Sequence, residues 1–128
     1  MTKLEINLNN EKYIHLPMNI QLDNLPETKK KAIERFVQEL REKYRDRVNK
    51  IILFGSVARG NFREESDIDI LVIGTTTLEE IIDISYPILL EFGELILPHV
   101  MDENHYTMLR KNKSGFIESI EREGIIIV

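Results

Sequence analysis

Two apolar runs separated by a polar insert constrain this chain more than any other feature. The first, Val48–Phe54, is rich in β-branched residues and stops at Gly55, so it reads as a buried strand. The second, residues 67–73, reads Asp-Ile-Asp-Ile-Leu-Val-Ile. A strand there sends Asp67 and Asp69 to one face and Ile68, Ile70 and Val72 to the other. Between them, residues 56–62 read as a turn or short helix, and Arg63, Glu64 and Glu65 as a solvated loop.

Helical patterns surround these strands. Over residues 26–46, Ala32, Ile33, Phe36, Val37, Leu40 and Tyr44 recur three and four apart, which predicts one apolar helix face. The Lys29 to Lys31 run reads as its solvated side. Thr77 and Glu80 have capping-box spacing ahead of a second helix. Leu78, Ile81, Ile82, Leu89 and Phe92 read as its buried face, with Pro87 as a kink and Gly93 as the stop. Residues 95–100 read as a third strand. Asp102 and Ser114 can cap two short helices, the first with Tyr106 and Leu109, the second burying Phe116, Ile117 and Ile120. Residues 125–128 read as a terminal strand. The expected fold is α/β (α+β): a short mixed sheet with helices on one face.

At 128 residues the chain suits one core, expected over 26–128, preceded by an arm or hairpin over 1–25. No segment of the sequence has signal-peptide layout or membrane-spanning length, and there is no cysteine, so disulfides and thiolate metal sites are excluded. This fits a reducing cytoplasm. A net charge of −5 argues against wrapping nucleic acid through its phosphates.

The polar insert carries the chemistry. Gly55 lets the backbone turn sharply and approach a ligand with no Cβ in the way. Ser56 offers a hydroxyl and nearby N–H groups to a phosphate, and Arg59 a charge-assisted fork. Asp67 and Asp69 are close enough to repel, which raises their pKa values unless a cation neutralises them; Mg²⁺, a hard cation with open positions for triphosphate oxygens, is suited to that role. Gly-Ser alone is an ordinary turn, and Asp-x-Asp alone an ordinary strand end; the specificity lies in their combination between two apolar strands.

That combination over residues 53–72, LFGSVARGNFREESDIDILV, resembles the signature of DNA-polymerase-β-like nucleotidyltransferases. Ala58-Arg59-Gly60 and Ser66-Asp67 are similar to the minimal nucleotidyltransferase (MNT) subgroup, many of whose members are partners of HEPN proteins in toxin–antitoxin modules. The resemblance implies that Gly55 and Ser56, with Arg59 and Ser66, hold the nucleotide. It implies that Asp67 and Asp69 bind two Mg²⁺ ions with ATP as substrate. A third carboxylate on a neighbouring strand helps bind the catalytic metal in that superfamily. The stretch GELILPHV lacks a central Asp, which leaves Glu94 first and Glu91 second for the role. His99 can line the pocket, although an isolated His there is more often structural.

The implied reaction moves AMP from ATP to an acceptor hydroxyl, on a tyrosine of a HEPN toxin partner. Rival readings are a catalytically weak antitoxin that acts by binding, and a small-molecule nucleotidyltransferase of the antibiotic-modifying kind. The latter needs a second subunit or a homo-oligomer to build its acceptor pocket. A nucleic-acid polymerase ranks last.

Overall fold

The computed structural model describes residues 2–3 and 24–127. In chain order the elements are β1 (Thr2–Lys3), α1 (Glu27–Tyr44), a tight turn of helix (Arg45–Arg47), β2 (Val48–Phe54), α2 (Gly55–Arg59), β3 (Ile68–Gly74), α3 (Leu78–Phe92), β4 (Ile96–Met101), α4 (Glu103–Lys111), α5 (Gly115–Glu123) and β5 (Ile125–Ile126). The sheet order is β1-β5-β2-β3-β4. β2 runs antiparallel to β3 and β5, while β4 runs parallel to β3 and β1 parallel to β5. The sheet is therefore mixed, as expected. Apart from β1, the proposed arm over 1–25 lies almost wholly outside the described residues. No helix among them is long and apolar enough to cross a membrane.

Helices cover both faces of the sheet, not one. Ile68, Ile70, Val72 and Ile96 pack with Ile33, Phe36 and Leu40 of α1 and Ile81, Ile84 and Ile88 of α3. On the other face Ile52, Leu71 and Ile73 pack with Tyr106 of α4 and Ile117 and Ile120 of α5. The reason is in β3: beyond Asp69 it is apolar at odd and even positions alike, so each face needs a cover.

β4, at one edge of the sheet, carries Pro98. Ile68 N–H donates to the Leu95 carbonyl at 2.9 Å. In a parallel ladder this turns the backbone groups of residues 97 and 99 toward β3 and those of 98 outward. Pro98 thus costs the sheet no hydrogen bond and blunts its free edge.

Local signals hold α3 in place. Thr77 Oγ1 accepts from Glu80 N–H at 3.2 Å, and Glu80 accepts from Thr77 N–H at 2.9 Å, completing the capping box. The same Glu80 carboxylate takes two 2.7 Å bonds from Arg47, which hold its pKa down to about 2. Gly93 ends α3 at φ 70°, and Pro87 lies inside it. Leu78 and Ile82, expected inside, are 45% and 43% exposed, and Ile84, Ser85 and Ile88 are buried instead. Apolar residues occupy too much of this helix's circumference for spacing alone to choose the inner face.

Candidate functional site

The end of β2 and the start of β3 meet at one point. Phe54 pairs with Asp69, and the chain leaves β2 through Gly55 at φ +76°. A Cβ at Gly55 would collide with the Asp69 carboxylate. Only glycine combines this left-handed turn with so close an approach. α2 follows at once, and Gly60 closes it at φ 85°, donating to the Ser56 and Val57 carbonyls.

Beside this turn is a cavity of about 410 Å³ lined by Phe54, Gly55, Ser56, Arg59, Asp69, Phe116, Ser119, Ile120 and Glu123. The structure thus brings Gly55, Ser56, Arg59 and Asp69 together, as the motif suggested. Asp67 lies exposed just before β3, near enough that its charge helps raise the Asp69 pKa. The larger cause of that rise is burial; His99 and Arg59 oppose it. Asp69 is therefore a half-buried carboxylate whose charged form calls for a cation.

Other assignments come out differently. Arg59 Nη1 stands 3.3 Å from Glu123 Oε2 on α5, so this guanidinium has a carboxylate partner inside the cavity. Ser66 Oγ accepts from the Arg63 N–H at 2.7 Å, closing the loop ahead of Asp67 and leaving the hydroxyl out of the cavity wall. Glu91 pairs with Arg35 at 2.7 Å on the exposed surface between α1 and α3.

Glu94 is not brought to Asp67 and Asp69. Its carboxylate accepts from Lys29 Nζ at 2.6 Å and Thr28 Oγ1 at 2.7 Å, both on α1. It thus faces the α1 side of the sheet, whereas Asp69 faces the cavity under α5. The solvated reading of Lys29 fails with it: this lysine is fully buried.

Laterally, Asp69 pairs with Leu97 of β4. Two residues on, His99 Nε2 stands 3.9 Å from Asp69 Oδ1. The His99 ring also meets Phe54 edge-on at 5.2 Å and Phe116 at 6.0 Å. Phe116, expected inside α5's core face, is 41% exposed at this rim. Sequence reasoning missed Ser119 and Glu123 altogether, since no motif marks α5. Among the described residues, no three Asp, Glu or His side chains converge as a ready-made metal cluster.

The profile of the nucleotidyltransferase domain family matches residues 33–127. A Methanocaldococcus jannaschii protein named "Putative protein adenylyltransferase" is 42% identical over 97 residues, covering 76% of this chain and 95% of that one. A second protein of that organism and name is 33% identical over 98 residues, covering 73% and 92%. A Sulfolobus solfataricus crystal structure titled "putative nucleotidyltransferase" aligns with a TM-score of 0.49 at 17% identity, over 86% of this chain and 88% of that one. With its Gly-Ser turn set against Asp69 and a family match running from α1 to β5, this chain belongs to the nucleotidyltransferase domain family and is a nucleotidyltransferase.

Proposed function

We propose that the chain transfers AMP from ATP to a hydroxyl on a protein acceptor, with Mg²⁺ held at Asp67 and Asp69. The observation that carries this reading is the approach of the Gly55 turn to the Asp69 carboxylate. It sets phosphate-binding backbone beside a carboxylate whose burial favours a bound cation. The protein acceptor is taken from the two relatives' names.

In this reaction the acceptor oxygen forms a bond to the α-phosphorus of ATP. The bond from that phosphorus to the β-phosphate bridging oxygen breaks, pyrophosphate leaves with the electron pair, and the hydroxyl proton passes to solvent. Gly55 and Ser56 hold the phosphates from the backbone side. Arg59 exchanges Glu123 for phosphate oxygens, which its guanidinium fork can bind bidentately. Asp67 and Asp69 would hold the metal–nucleotide, and Phe54 and Phe116 line the cavity beside it. When bound, Mg²⁺ supplies the positive charge that stabilises the leaving pyrophosphate. The acceptor we favour is a tyrosine of a HEPN-type toxin, which makes the chain an antitoxin.

One observation favours a second reading. The β4 residue beside Asp69 is Leu97, and Glu94 is committed to Lys29, so a third carboxylate is missing from that strand's cavity face. A slow enzyme that neutralises its partner mainly by binding fits this arrangement. Transfer of labelled AMP to a co-expressed HEPN partner separates the two. Labelling that vanishes in Asp69→Asn supports the enzyme; silencing of the toxin with no labelling by the wild type supports the binder.

A further inference from the structure

The buried Lys29–Glu94 pair performs no chemistry in the reaction above, yet it touches the segment that carries Asp67. Lys29 Nζ donates to Glu94 at 2.6 Å and to the Ser66 carbonyl at 2.8 Å. Thr28 Oγ1 holds the other Glu94 oxygen at 2.7 Å. On the far side of Asp67, the Ile68 N–H donates to the carbonyl of Leu95, the residue after Glu94, at 2.9 Å. Asp67 therefore sits between two backbone anchors, both fastened to residues 94 and 95.

Stability alone accounts poorly for such a pair. Desolvating two charges costs several kcal/mol, and well-packed apolar side chains of similar volume often serve a fold as well or better. An apolar pair, however, cannot hold the Ser66 carbonyl.

We infer that Lys29 and Glu94 are positioning residues that fix the backbone ahead of Asp67 so that its carboxylate is presented to the metal–nucleotide. The inference rests on the proposed metal role of Asp67. Partners that orient a metal ligand typically contribute about 10–100-fold to metal affinity.

The test separates fold from positioning. Lys29→Met with Glu94→Met removes both charges together and leaves neither partner buried alone. Thermal unfolding reports stability. Mn²⁺ binding in the presence of a non-hydrolysable ATP analogue, followed by electron paramagnetic resonance, reports the site. The expected result is a double variant that unfolds near the wild-type temperature but binds Mn²⁺–nucleotide about 10–100-fold more weakly. A double variant that is equally stable and binds like the wild type overturns the inference. If the double variant does not fold, Lys29→Met with Glu94→Gln replaces it, since Gln keeps an acceptor for Thr28 while the donor to the Ser66 carbonyl is still removed. A weaker Mn²⁺–nucleotide complex then supports positioning, and an unchanged one overturns it. A wild type that binds no Mn²⁺–nucleotide removes the Asp67 reading and this inference together, a failure distinct from normal binding by the variants.

Discussion

Asp69 and Glu94 sit at the same end of neighbouring strands, and the sheet divides them. Glu94 faces α1, where a fully buried lysine and a threonine hydroxyl satisfy its charge. Asp69 faces the cavity, where its nearest cationic candidate is a histidine at 3.9 Å and burial raises its pKa. One carboxylate is neutralised by the fold and stays fixed. The other is left with charge to spare, the condition a cation-binding group needs. Family resemblance had offered both as metal ligands; the side of the sheet that each faces separates them.

The contrast predicts opposite responses to losing charge. Glu94→Gln leaves Lys29 buried without its carboxylate, which should cost about 3–5 kcal/mol of stability. Urea unfolding checks this, and a loss under about 1 kcal/mol would mean that the pair is better solvated than its burial implies. Gly55→Ala comes next. It forces a Cβ into the Asp69 carboxylate at φ +76°, so a loss of about 1–3 kcal/mol together with weaker nucleotide binding is expected. Binding intact in Gly55→Ala would detach the turn from the site.

Asp69→Asn should act in the other direction. A carboxyl whose folded pKa lies above its unfolded value favours folding fully only below the unfolded value, and that contribution is lost as pH rises through the folded one. At neutral pH the ionised Asp69 therefore burdens the metal-free fold. Asp69→Asn should raise the melting temperature in chelator while abolishing AMP transfer, and the gain should shrink in acid. A lower melting temperature at pH 7 would show that Asp69 is stabilised by its surroundings. The smallest effect belongs to Glu91→Gln, which breaks a surface pair with Arg35 and should change stability by less than about 1 kcal/mol and transfer not at all. A large loss of transfer would return Glu91 to the site.

Much of this arrangement was legible in the residues. The two central strands, the Gly55 turn, the capping box and the Asp102 cap, whose side chain accepts from His105 N–H at 2.7 Å, all follow from local chemistry. The Lys29 reading failed because a run of lysines looks solvated. Its phase held the signal: Lys29 precedes Ile33 by four residues and Phe36 by seven, on the buried side of α1. The Glu94 reading could not be resolved from sequence, because it depends on strand register and on which helix covers which face. Phe116, Ser119 and Glu123 were hidden for the same reason. Packing of α5 across the sheet brings them to Asp69, and no local pattern encodes that encounter.

On the proposed reading, the Gly-Ser turn and the Asp67–Asp69 pair form one metal–nucleotide site. Calorimetric titration of ATP into the protein, with and without Mg²⁺, decides this when Asp67→Asn plus Asp69→Asn is run beside the wild type. The expected result is binding that needs Mg²⁺ and disappears in the double variant. ATP binding that ignores both the metal and the two substitutions would contradict it.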